Sequence, residues 1–160
     1  MNPNVPYILP DGTHARDTHG ETFQFALPDS DSGIFLRGYG KNQVNIWCWQ
    51  IGSGELYGFL PDPASSPEVR KRATPPTQAD KTEGEWNRFE ITVADDRVMV
   101  VLDGKKVIDQ ARLPGIAPKG PIDLQQDGVM KYGKWTGPPS ILQFKHIFNR
   151  ELDNGRTDKN

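Results

Sequence analysis

What the 160-residue chain lacks narrows its class before anything it contains. A single cysteine, Cys48, excludes an intrachain disulfide framework and any cysteine-based metal centre. No apolar run approaches the roughly 20 residues that a membrane-spanning helix needs. No long stretch carries helical periodicity, which argues against a helical bundle. The formal net charge of -2 gives no electrostatic footprint for nucleic acid. The one basic cluster, Arg70-Lys71-Arg72, falls in a proline-rich stretch and reads as a solvated loop. A GxSxG elbow and an HExxH pattern are both missing. No basic start followed by an apolar core marks a secretory signal, which leaves the compartment open. His14 and His19, in an irregular segment, read as surface residues rather than ligands.

What is abundant is turn chemistry. Sixteen glycines and fourteen prolines are spread between short alternating runs, the pattern of an all-β domain. The chain divides into an irregular arm over 1–20, a single β-sandwich domain over 21–152 and a charged, disordered tail over 153–160. Strands are expected at Thr22–Leu27, Ser32–Gly38, Glu85–Val93 and Val98–Leu102. The last turns back through Asp103-Gly104, a strong hairpin signal, with Lys105 and Lys106 protecting an edge at its tip. Pro121–Gly128 is expected to bury Ile122 and Leu124, and Ser140–Leu152 to close the sheet. Before the strand at Glu85, 60–83 is a long excursion with a helical turn near Pro67–Lys71, expected to lie as a lid over the working face.

The stretch Gln43–Gly58, QVNIWCWQIGSGELYG, organises the rest. Strand side chains alternate in direction, so Gln43, Asn45, Trp47 and Trp49 share one face, and Val44, Ile46 and Cys48 the other. Indoles beside carboxamides suit a polyhydroxylated ring: aromatic planes cover its C–H faces and amides meet its hydroxyls. The plainer reading is a half-buried strand whose aromatics serve packing, with both faces covered. Gly52-Ser53-Gly54 follows, with glycines that let the backbone approach its neighbours closely, and delivers the Glu55 carboxylate next to Tyr57. If Ile34 and Leu36 are core, Arg37 falls on the opposite side, where an arginine forks onto two oxygens or pairs with a carboxylate such as Glu55.

Taken in order, SGIFLRG, QVNIWCWQIGSGELYG, GEWNRFEITV, VVLDGKKVID, LPG, GPIDLQQDG and SILQFKHIFNREL resemble the 3-keto-disaccharide hydrolase domain family, from about Phe23 to Leu152. The resemblance implies a concanavalin A-like jelly-roll β-sandwich whose concave sheet holds carbohydrate. Relatives begin with additional strands before the SGI motif, so the expectation is a sandwich that is missing an edge strand, one that completes itself with a second copy, or a truncated gene product. The implied chemistry is cleavage of a glycosidic bond in a sugar oxidised to a ketone at C3. The ketone acidifies the C2–H bond, a base removes that proton, the C1 substituent leaves, and water adds later.

Onto that chemistry Glu55 maps as base or acid and Arg37 as oxyanion or carboxylate partner. Gln43, Asn45 and Gln125 map as hydroxyl readers, and Trp47, Tyr57 and Trp86 as the aromatic surroundings of the sugar. Relatives carry a histidine within an LQxHG-like segment where this chain reads Leu124-Gln125-Gln126-Asp127-Gly128, which brings Asp127 into the catalytic set and puts the proton transfer in question. The sequence requires no cofactor, and a divalent cation is compatible as polariser. The partners implied are a 3-keto sugar and a second copy at an unpaired sheet edge, not nucleic acid or a membrane span. The family resemblance implies a bacterial periplasmic or secreted location. The rival classes are a carbohydrate-binding module, which needs the aromatic platform but no base, and a structural sandwich, which binds no sugar.

Overall fold

The computed structural model describes residues 31–38, 40–47, 51–82, 84–126, 129–131, 134–136 and 142–152. Thr22–Leu27, His14, His19, Cys48, Trp49, Asp127, the arm and the tail lie outside the described residues.

Strands dominate, and each pairs antiparallel with its neighbour. The chain runs β1 (Asp31–Phe35), β2 (Gln43–Trp47), a 3-10 turn (Tyr57–Phe59), α1 (Pro67–Ala73), β3 (Phe89–Ala94), β4 (Arg97–Leu102), β5 (Lys105–Arg112), β6 (Asp123–Gln126), β7 (Val129–Lys131) and β8 (Lys134–Thr136). The first sheet has the order β2-β1-β6 and the second β3-β4-β5, while β7 and β8 form a small hairpin. Both main sheets feed one core: Leu36 and Val44 from the first, and Val98, Val100, Leu102, Val107 and Ile108 from the second. Two antiparallel sheets around shared apolar side chains are compatible with an all-β sandwich. Each fully buried aliphatic in this layer contributes roughly 1.5–3 kcal/mol.

The second sheet follows the sequence pattern closely. Asp103 and Gly104 both take positive φ, 48° and 79°, as the two central residues of a tight hairpin turn must. One feature escapes simple alternation. Val107 and Ile108 are consecutive yet both about 1 % exposed, because the register between β4 and β5 shifts on either side of Val100. Such a bulge places two residues opposite one and turns the next side chain inward as well. Gln110, at φ 51°, lies between the shifted pairs.

Several expectations are corrected. The strand expected from Glu85 begins only at Phe89, and the one expected to reach Gly38 ends at Phe35. Arg70-Lys71-Arg72 is not loop but the last turn of α1, where cations complement the helix dipole. That helix starts on Ser66, whose hydroxyl accepts from the Val69 N–H at 3.3 Å, with Pro67 in its first turn. Seven residues are too few to be stable alone. Support comes from packing on β5 and on the 3-10 turn, so this excursion is built into the core through Val69, Ala73 and Ala79.

Ile122 and Leu124 are exposed, at 45 % and 43 %, with β6 the outer strand beside β1 in the first sheet. Residues 142–152 form no strand. His146 sits at φ 52°, outside the extended geometry that alternation requires. Phe148 is 89 % exposed.

Candidate functional site

The site is built on the face of β2 that carries its amides. In the first sheet Gly33 stands opposite Asn45 on one side and Gln125 on the other, and side chains opposite one another in an antiparallel ladder share a face. Gly33 contributes no side chain to this face. A Cβ there would lie 2.1 Å from Gln43 Nε2, so the gap is what lets the Gln43 amide lie across the strand. From that position Gln43 Nε2 donates to Gln125 Oε1, and at 3.4 Å to the Ser32 carbonyl. Ser32 Oγ donates to the Gln125 carbonyl at 2.6 Å. Gln43, Asn45 and Ser32 are buried and Gln125 is half-buried.

Gly33→Ala is expected to expel the Gln43 amide and leave Gln125 Oε1 without its donor, at a cost of about 1–2 kcal/mol. Urea unfolding of Gly33→Ala, Gln43→Ala and the double variant checks this: strongly non-additive losses reveal the contact, and additive losses refute it.

Glu55 reaches this neighbourhood through a backbone irregularity. The Asn45 N–H donates to the Glu55 carbonyl at 2.8 Å, and the Gly54 N–H donates to the Asn45 carbonyl at 2.8 Å. Gly54 and Glu55 thus stand opposite the single residue Asn45, a bulge that opens with a glycine at positive φ, here 106°. The loop before it is tied down twice. Trp47 Nε1 donates to the Gly52 carbonyl at 2.9 Å and Ser53 Oγ accepts from the Trp47 N–H at 3.2 Å. On the other side the Ser53 N–H donates to Asp80 Oδ2 at 2.9 Å. The close approach expected of these glycines is present: a Cβ on Gly52 would lie 2.7 Å from Asp80 Oδ2, and one on Gly54 2.7 Å from Val107 Cγ2.

The carboxyl so placed is only 1 % exposed, and among the described residues its Oε2 has no hydrogen-bond partner. Burial pushes its pKa up to about 7, since desolvation disfavours the charged form. A carboxyl with a pKa near neutrality takes and gives protons readily at physiological pH. Next to it, Trp47 and Tyr57 meet edge to face, with ring centroids 5.6 Å apart at 72°. Tyr57 is 44 % exposed, leaving aromatic surface beside the carboxyl's loop.

Not every sequence candidate gathers here. Arg37 makes no ion pair with Glu55: β1 has ended, and the arginine sits at φ 59° in the following turn. Its Nη1 donates to the Asp95 carbonyl at 2.7 Å and to that of Ala117 at 3.3 Å. Trp86 lies on a loop at the other end of the second sheet, where Lys81 bridges the Trp86 carbonyl and Asp103 Oδ1, each at 2.8 Å. Since the Asp95 and Asp103 turns bracket β4, about 17–20 Å long at ~3.3 Å per residue, Arg37 and Trp86 do not serve one sugar-sized site. The Trp86 ring is covered instead by the Lys145 ammonium, 3.7 Å from its centroid. Among the described residues no three of His, Cys, Asp and Glu come together as a cation site, and no helix is long and apolar enough to cross a membrane.

Sequence reasoning missed Gly33, Ser32 and Asp80. Gly33 carried a signal, since a glycine inside an alternating strand marks a close approach. Asp80, from the far end of the excursion, carried none.

The described residues thus set a buried carboxyl, a cluster of amides and an aromatic pair on an antiparallel β framework. The family model of the 3-keto-alpha-glucoside-1,2-lyase-like domain matches residues 21–148, and the chain belongs to that family. Its function is therefore carbohydrate-related. Comparison with curated proteins and with solved structures gave no match.

Proposed function

We propose that the protein cleaves the glycosidic bond of 3-keto-glucosides by elimination across C1 and C2, followed by hydration. The observation that carries the reading is Glu55, a buried carboxyl with an unpaired oxygen and a pKa near 7, on a chain whose family is named for a 1,2-lyase of 3-keto-alpha-glucosides. Glu55 ionised takes the C2 proton, which the C3 ketone has made acidic. The electron pair forms the C1=C2 bond as the C1–O bond breaks, and the departing oxygen takes its proton from water, whose hydroxide is neutralised by the proton Glu55 gained. Gln43, Asn45 and Gln125 hold the ring hydroxyls, and the Trp47–Tyr57 pair covers a C–H face. A concanavalin A-like jelly roll is the architecture we infer with it.

The reading excludes the two-carboxylate arrangement of an ordinary glycosidase, which needs a partner acid facing the first. Its test is incubation of the purified chain with 3-keto-trehalose, following free glucose and the ultraviolet absorbance of the unsaturated ketone. Glucose release with transient or lasting enone supports elimination. Release without enone, and with no deuterium from heavy water entering C2, supports direct hydrolysis and overturns it. Saturable binding with no release in the wild type supports the binding-module reading instead.

A further inference from the structure

A concavity lies beside the turn that follows β1. It has a volume of about 400 Å³ and is lined by Arg37, Lys41, Asn42, Phe59, Pro114 and Ile116, among others. That is within the usual range for small-molecule sites, roughly 300–1,000 Å³. Among the described residues the lining combines two cations with apolar walls and includes no carboxylate. Lys41 is paired with Asp62, which stands outside the lining. Arg37 has no ion pair at all among the described residues: its Nη1 is used on two carbonyls, while its remaining N–H groups keep their donors.

The position of that guanidinium is fixed at some conformational cost. Arg37 adopts the left-handed region, φ 59°, which is unfavourable by roughly 1–2 kcal/mol for a residue with a Cβ. Its backbone also packs so closely that a Cβ on Gly120 would lie 2.3 Å from the Arg37 carbonyl oxygen. Asn42 braces the same turn by donating from Nδ2 to the carbonyls of Leu36 and Gly38. An unpaired, braced guanidinium over apolar walls is the arrangement that recognises an anion attached to a ring: the fork takes the oxyanion bidentately and Phe59, Pro114 and Ile116 meet the C–H surface.

We infer that this cavity is a binding site for an anionic monosaccharide, a pyranose carrying one carboxylate or phosphate group. The site adjoins the sugar face along the chain. Gly58 packs against the Lys41 backbone, where a Cβ would lie 2.4 Å from the Lys41 Cα, and Gly58 stands three positions after Glu55, at most about 10 Å of chain. The inference concerns binding alone and stands whether or not Glu55 cleaves sugars.

The experiment is titration of the full chain with glucuronate, glucose 6-phosphate and glucose, followed by amide chemical shifts. Either anion is expected to bind at least tenfold more tightly than glucose, more weakly as salt is raised, and with shifts at Arg37, Lys41 and 114–117. The tighter of the two anions identifies the group recognised. Arg37→Gln and Ala117→Glu, the second an exposed position that sets a carboxylate against the guanidinium, are each expected to lower anion affinity at least tenfold. Glu55→Gln is expected to leave it unchanged. No preference for either anion over glucose, or anion binding unaffected in Ala117→Glu, overturns the inference.

Discussion

Replacing Glu55 with glutamine is expected to reduce turnover of a 3-keto-glucoside by about 10²–10⁴-fold, the range that a positioned general base contributes, while making the protein more stable at alkaline pH. The two effects share one cause. In the folded chain burial raises the Glu55 pKa from 4.5 to about 7, so between those values the native state holds a proton that the unfolded state has released. Stability then falls as pH rises through this window, because the unfolded state binds fewer protons there. Below about 4.5 the protonated carboxyl carries no charge penalty; above about 7 the full penalty is present. At 1.36 kcal/mol per pKa unit, the penalty is about 3 kcal/mol.

Glu55→Gln carries no charge and removes the penalty. Urea unfolding is therefore expected to show the variant more stable than wild type at pH 8 and nearly equal to it at pH 4.5. The wild-type kcat/KM should rise with pH through an apparent pKa near 7, as expected for a base that must be ionised. A variant that loses turnover without this pH-dependent gain in stability would show that the carboxyl is not desolvated in the folded protein, and the catalytic assignment would lose its physical basis.

Gly54→Ala is the second large effect, with an expected loss of about 3 kcal/mol or more in unfolding free energy. Two costs add at this position. At φ 106° the backbone occupies a region that residues with a Cβ rarely adopt, worth roughly 1–3 kcal/mol of strain. The new methyl would also lie 2.7 Å from Val107 Cγ2 and 3.7 Å from Val100 Cγ1, inside the shared core, where overpacking costs typically 1–3 kcal/mol. Val107→Ala in the same background opens the space but leaves the strain, so the double variant should recover part of the loss and no more. Thermal or urea unfolding of the single and double variants measures both components. A Gly54→Ala protein as stable as wild type would mean that the bulge opposite Asn45 is not held as described, and with it the placement of Glu55.

Alternation alone made the second sheet and its hairpin legible, because each strand there pairs with its sequence neighbour and local turn chemistry fixes the register. Asp103-Gly104 is the plainest case. It also made legible the group Gln43, Asn45 and Gln125, since period-two facing is a property of any strand. The failures have physical reasons too. Leu124 is apolar and alternates correctly, yet lies 43 % exposed, because what covers a face is decided by the layer above it and not by the strand itself. Residues 142–152 alternate as well, but a strand also needs a partner for its N–H and C=O groups and extended dihedrals throughout, and His146 departs from them. Arg37 was placed by parity along a strand that in fact stops two residues earlier, which sent its guanidinium to Asp95 and Ala117.

By itself, then, the sequence determined an antiparallel β protein of its family, the polar side of β2 and the closeness of Glu55 to a glycine turn, because these follow from residue types and spacings within a few positions of one another. Only the tertiary structure decided that Gly33 sits between Asn45 and Gln125, that Asp80 anchors Ser53, and that Glu55 is buried enough to hold its proton near neutrality. Each of those depends on segments tens of residues apart meeting in space, and desolvation, the cause of the raised pKa, is a property of the packed surroundings that no single stretch of chain encodes.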